Sequence, residues 1–101
     1  MKKMKTEKLV TVTINVTAAD IKKGWDKTHS KECPIALACK RIFKKSADIY
    51  VLIDGLEYGE SNYIDLPAMA EKFSTAQVDQ DDTFKPKPFS FKLRVPQRLV
   101  K

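Results

Sequence analysis

The chain has 101 residues, which is the length of one domain, and 43% of them are hydrophobic and 32% charged. No apolar run approaches the roughly 20 residues of a membrane span, and the Thr-rich stretch after the first lysines lacks a signal-peptide core. We therefore expect a single cytoplasmic domain over residues 1–101, with residues 1–8 as a flexible basic N-terminus. The whole chain has a net charge of +6.

The first predicted element is a strand over Leu9–Thr17, in which apolar and polar residues alternate from Val10 onward. Such alternation is typical of a strand with one buried and one solvated face. Thr17 followed by Asp20 predicts a capping box, which opens a short helix that stops at Gly24.

The next predicted helix begins at Cys33-Pro34, because proline is favoured in the first turn. Its apolar residues recur at helical spacing, and basic residues crowd its last turns up to Lys45. A buried strand over Asp48–Ile53 follows, and Asp54-Gly55 predicts a hairpin. The returning strand is broken at Gly59, and residues 61–65 resume the pairing.

A second main helix is expected from Leu66-Pro67, with an apolar stripe formed by Met69, Ala70, Phe73 and Gln77. An acidic loop and an extended proline-rich stretch lead to the last strand, Phe89–Val95, which alternates like the first one. This order predicts an α+β fold with a single antiparallel or mixed sheet of about four strands and two main helices on one face. We expect the two end strands to be neighbours and the core to contain Ile35, Leu37, Ile42, Ile53, Phe73 and Phe91.

Several of these segments resemble a group of small, functionally uncharacterised bacteriophage proteins. The similar segments are the Val/Thr strand, the Cys33-Pro34-Ile35-Ala36-Leu37-Ala38 helix, the Leu66-Pro67-x-x-Ala70-x-x-Phe73 helix and the Pro88–Pro96 strand. The resemblance covers about residues 9–96 and implies phage origin and expression in the infected host cell. It implies no activity and no site residues.

Candidate catalytic groups are weak in this sequence. Cys33 at a helix N-terminus could be reactive with His29 as its base, but a packed cysteine is the commoner role. Cys39 lies six residues on, on another helix face, so a disulfide with Cys33 is not expected. Four carboxylates could bind a cation or act as an acid–base pair, although a solvated hairpin edge is favoured: Asp54, Glu57, Glu60 and Asp65. We predict no catalytic residue, no metal site and no cofactor.

Charge is divided into blocks along the chain. Residues 1–45 carry +8, residues 46–82 carry −8 and residues 83–101 carry +6. A basic surface made by the two ends attracts nucleic acid, phosphorylated ligands or acidic proteins, whereas lysines that serve solubility alone are the simpler alternative. The predicted binding residues are Lys40, Arg41, Lys44, Lys45, Lys92 and Arg94. Secondary candidates lie on the acidic side, where tyrosines could stack on a ligand: Tyr58, Asn62 and Tyr63.

The expected function is therefore binding without catalysis. The resemblance favours a phage accessory protein in the cytoplasm of the infected host, acting as a counter-defence inhibitor of the anti-CRISPR kind or as a signal-sequestering protein. Its partner would be an acidic or nucleic-acid-containing host macromolecule, such as a defence complex, and not a membrane. The alternative is a small basic nucleic-acid-binding module, and no sequence feature specifies the oligomeric state.

Overall fold

The protein is described by a computed structural model over residues 8–26, 31–59, 62–80 and 83–101. The predicted basic N-terminus, apart from Lys8, lies outside the described residues. The helices are α1 (Ala18–Gly24), α2 (Pro34–Lys40) and α3 (Ala68–Asp79), and the strands are β1 (Leu9–Val16), β2 (Tyr50–Val51), β3 (Gly55–Tyr58), β4 (Asn62–Asp65) and β5 (Phe89–Pro96). None of the helices in the described ranges has the length and hydrophobicity needed to cross a bilayer.

The two alternating end strands pair as expected. β1 and β5 are antiparallel, in a register that runs from Leu9 opposite Pro96 to Val16 opposite Phe89. Alternation sends one face of the pair inward, where Ile14 and Phe91 are buried, and leaves the Thr and Lys side chains of the other face exposed. The predicted neighbour relation and the predicted core face of these strands are both confirmed.

The α+β class is confirmed, but the strands do not form the single sheet that the sequence predicted. β1 and β5 make a sheet of two strands, and β2, β3 and β4 make a separate antiparallel sheet of three. The predicted strand Asp48–Ile53 shortens to β2 because Asp48 takes a left-handed conformation (φ 52°) before it and the Leu52 N–H bonds the Gly55 carbonyl after it. Ile53 therefore lies in the hairpin loop and is 46% exposed, so its predicted place in the core is wrong.

Helix α1 begins with the predicted capping box. The Asp20 N–H donates to Thr17 Oγ1 at 3.1 Å, and the Thr17 N–H donates to the Asp20 carboxylate at 2.9 Å. The helix ends at Gly24, where a Cβ would lie 2.7 Å from the Glu32 carbonyl oxygen. Glycine is needed here because the end of α1 touches the segment that opens α2.

Helix α2 is shorter than its apolar pattern suggested. It ends at Lys40, and Arg41 forms its C-cap. The chain then leaves the helix because the Lys44 N–H donates to the Leu99 carbonyl at 2.8 Å, while the Lys101 N–H donates to the Ile42 carbonyl at 3.0 Å. Lys44 and Lys45 consequently follow the helix and do not belong to its last turns.

The core is one cluster that includes buried residues of the helices, of the inner face of the β1–β5 pair and of the second sheet, where Val51 and Leu56 are buried. Ile35, Phe73 and Phe91 are buried as predicted, whereas Leu37 and Ile42 are only half-buried. In α3, Ala70 and Gln77 point inward as expected, but Met69 is 54% exposed and does not belong to the predicted apolar stripe.

A candidate anion-binding cavity

A cavity of about 500 Å³ opens beside the C-terminal end of α2. Its apolar lining comes from Ala36, Cys39, Phe43 and Ile49, of which Ile49 is half-buried and the others are buried. Five lysines and one aspartate complete the lining: Lys31, Lys40, Lys44, Lys45, Lys101 and Asp48. We call this cavity, with its polar and apolar lining, the lysine cavity. An excess of ammonium groups around a concave site creates a positive potential that attracts anions.

The backbone hydrogen bonds that follow α2 also bring together the segments that line this cavity. Lys40 is the last residue of the helix, and Lys45 begins a short 3-10 turn, Lys45–Ala47. The bond from the Lys44 N–H to the Leu99 carbonyl brings the C-terminal segment alongside and places Lys101 in the lining. Two basic blocks far apart in sequence thus contribute lysines to one site.

Within the cavity, Lys31 forms an ion pair with Asp48. Lys31 Nζ lies 2.8 Å from the Asp48 carboxylate and 4.6 Å from the centre of the Tyr50 ring. The hydrogen bond to Asp48 raises the pKa of Lys31. Within the described ranges, the only other ion pair joins Arg41 to Asp20, so the four remaining cavity lysines have no carboxylate within 4.0 Å there.

Arg41 makes structural contacts that the sequence did not predict. Its guanidinium donates to both Asp20 carboxylate oxygens, at 2.8 and 2.6 Å, and to the Asn15 carbonyl at 2.7 Å. The pKa of Asp20 is lowered chiefly by this hydrogen bonding to Arg41. Arg41 therefore joins β1, α1 and the end of α2, and it is committed to the fold although about half of its side chain is exposed.

Lys92 and Arg94 form a second basic location. Both are exposed on the solvated face of β5, opposite Thr13 and Thr11 of β1, and neither lines the lysine cavity. The six predicted binding residues are thus divided: Lys40, Lys44 and Lys45 lie in the cavity, Arg41 is in an ion pair, and Lys92 and Arg94 lie on the sheet. Sequence reasoning missed Lys31 and Lys101, whose only signal was membership of the basic blocks.

The secondary candidates differ in their exposure and their neighbours. Tyr58 is half-buried against the core, and Asn62 is exposed. Tyr63 is exposed, but its ring covers Gly55, where a Cβ would collide with it. A hydrogen bond to the Asp54 carboxylate is the first cause that raises the pKa of Tyr63 to about 12. Tyr50 is 40% exposed, and its ring lies beneath Lys31 Nζ.

The two thiols are packed in the core. Cys33 is the N-cap of α2 and buried, and burial is the main cause that raises its pKa. Burial also raises the pKa of Cys39 to about 12. His29, the predicted base for Cys33, lies outside the described residues.

Among the described residues, the carboxylates around the second sheet are not gathered into a ligand set. Asp54, Glu57 and Asp65 are exposed, and Glu60 lies outside the described residues. Among the residues that the structure describes, no group of three or more His, Cys, Asp or Glu is placed to hold a metal ion.

Comparisons of the chain with protein-family models, curated proteins and solved structures find no match.

Proposed function

We propose that the protein acts by binding, without catalysis, and holds a phosphate-bearing small ligand in the lysine cavity. The observation that supports this is the lining of five lysines against one aspartate. A lysine ammonium is a compact point charge that serves as a phosphate ligand in many proteins. A cavity of about 500 Å³ falls in the range that small-molecule sites occupy, and its apolar wall would contact the non-ionic part of the ligand.

The protonation state of the Cys39 thiol favours a protein that retains its ligand over one that chemically converts it. Cys39 lines the site, but burial raises its pKa to about 12 and keeps it protonated at neutral pH. A protonated thiol is a poor nucleophile.

The resemblance to phage proteins supplies a setting for this binding. In that setting the protein would sequester a phosphorylated defence signal in the cytoplasm of the infected host cell. This part of the proposal depends on the sequence resemblance over about residues 9–96 alone.

The test is calorimetric titration with ATP, a cyclic dinucleotide and inorganic pyrophosphate as probes. A Lys40→Glu/Lys44→Glu variant should lose binding of whichever probe the wild type binds, because the reversal replaces two cavity cations with anions. The matched control is Lys92→Glu/Arg94→Glu, which makes the same change in net charge outside the cavity and should keep binding. Absence of binding for all three probes, or equal loss in both variants, would overturn the cavity as the site.

A second candidate function is nucleic-acid binding on the exposed face of the β1–β5 pair. Lys92 and Arg94 stand two residues apart, about 7 Å along the strand, beside the hydroxyls of Thr11 and Thr13. Cations at that spacing can contact successive phosphates of an extended strand. The acidic or nucleic-acid-containing partner predicted from the sequence would contact this face.

Fluorescence anisotropy with a labelled single-stranded oligonucleotide tests this second candidate. Affinity that falls steeply with salt and disappears in Lys92→Glu/Arg94→Glu supports it. Affinity that survives this variant but disappears in Lys40→Glu/Lys44→Glu assigns the oligonucleotide to the cavity.

A further inference from the structure

The outer edge of β1 presents backbone groups that the described residues do not pair. The Gln97 N–H donates to the Lys8 carbonyl at 2.9 Å, which makes Lys8 and Gln97 a hydrogen-bonded pair of the antiparallel ladder. Along an antiparallel ladder, hydrogen-bonded residue pairs alternate with non-hydrogen-bonded pairs, whose N–H and C=O groups point away from the partner strand. In this register the even-numbered residues of β1 bond to β5, so Leu9, Thr11 and Thr13 direct their N–H and C=O groups away from β5.

Two further contacts agree with this assignment. Pro96 stands opposite Leu9 and has no N–H to donate, which a non-hydrogen-bonded position tolerates. Asn15 is also odd-numbered, and its carbonyl accepts from Arg41 Nη2 at 2.7 Å on the side away from β5. Arg41 therefore covers one end of the outer edge, and the open part of β1 is Leu9–Thr13, for which the described residues supply no hydrogen-bond partner.

The two edges of this sheet differ in how they resist further pairing. Natural proteins protect exposed edges with charged residues and proline. β5 carries Lys92, Arg94 and Pro96, whereas β1 has neither a charged residue nor a proline from Leu9 to Val16. Leu9 is also 45% exposed on the solvated face. An uncharged, extended edge of this kind is a template for another strand.

We propose that a second copy of the chain pairs with this edge, antiparallel and about a two-fold axis at Thr11. Thr11 then faces its own copy and Leu9 faces Thr13, so the outward backbone groups of all three residues are satisfied in both chains. No charged side chain lies in the paired stretch, which lets two chains of net charge +6 approach there. The partner's Thr13 covers the exposed part of Leu9. The two copies of Thr11 form a Thr–Thr pair across the axis, and such cross-strand pairs stabilise sheets.

Pairing about this axis gives a continuous sheet in the order β5-β1-β1-β5. Directly opposed residues share a face, so the solvated faces of the two copies join. Lys92 and Arg94 of both chains then lie on one surface. This assembly is independent of the ligand proposed for the lysine cavity.

The test is the molar mass of the full chain by sedimentation equilibrium from micromolar to millimolar concentration. We expect the wild type to reach the mass of a dimer. Thr11→Lys opposes like charges across the axis, and Thr11→Pro removes the outward N–H; both should remain monomeric with an unchanged circular dichroism spectrum. The control Lys92→Thr changes the same face of the other strand and should still dimerise.

Hydrogen exchange gives a second measurement that does not depend on the variants. The amide protons of Thr11 and Thr13 should gain protection as the concentration rises, while those of Lys92 and Arg94 should not. A wild type that stays monomeric throughout, or a dimer that persists in both Thr11 variants, overturns the proposal. A dimer without added protection at Thr11 and Thr13 also overturns it, because the contact then lies elsewhere.

Discussion

Replacement of Arg41 by alanine separates a structural role from a binding role. The side chain joins the Asp20 carboxylate to the Asn15 carbonyl and so connects α1 to β1. Its neighbour Lys40 is exposed, lines the lysine cavity and has no ion pair within the described ranges. We therefore expect Arg41→Ala to destabilise the fold and Lys40→Ala to leave it nearly unchanged.

The size of the effect follows from the burial of the two partners. The Asp20 side chain is 7% exposed, whereas the Arg41 side chain is 48% exposed. Loss of one partner from a buried ion pair costs about 3–5 kcal/mol, but exposed pairs are worth about 0–1 kcal/mol because water screens them. The half-exposed guanidinium places Arg41→Ala between these limits, at about 2 kcal/mol, or a fall in Tm of about 8–16 °C.

Urea unfolding followed by circular dichroism measures this difference. Arg41→Lys keeps the charge but loses the two-pronged contact, so its midpoint should lie between those of the wild type and Arg41→Ala. Lys40→Ala should fall within about 0.5 kcal/mol of the wild type. Equal midpoints for Arg41→Ala and Lys40→Ala would refute the structural role of Arg41.

Two further substitutions and one labelling experiment have defined expected outcomes. Phe91→Ala should lower the free energy of unfolding by about 3–5 kcal/mol because the side chain is buried in the core, and a Tm equal to that of the exposed control Ser90→Ala would contradict this. Asp20→Asn should be less stable than the wild type at neutral pH. Because folding lowers the pKa of Asp20, that gap should shrink once the pH falls below about 3.9, the unfolded value, and a pH-independent gap would contradict the ion pair. Both thiols should react with a disulfide reagent only slowly in buffer and fast in urea, since burial raises their pKa, whereas fast labelling of the native protein would contradict this burial.

Local patterns predicted much of the fold correctly. Alternation identified β1 and β5 and their buried faces, and the residue types at Thr17, Asp20 and Gly24 identified the limits of α1. These features depend on neighbours within a few residues or on a period of two, so the sequence contains them directly. The apolar pattern overextended α2 and β2, because the bond from Lys44 to Leu99 and the turn at Asp48 override propensity there.

The candidate site depended on contacts that the sequence does not display. Among the basic residues, nothing in their spacing separates Arg41, committed to Asp20 across 21 positions, from Lys40 and Lys44, which remain in the cavity. The sequence by itself determined the α+β class, the pairing of the end strands and the excess of positive charge. Only the tertiary structure decided which cations are used by the fold and which surround a cavity, because that choice depends on the approach of segments distant in the chain.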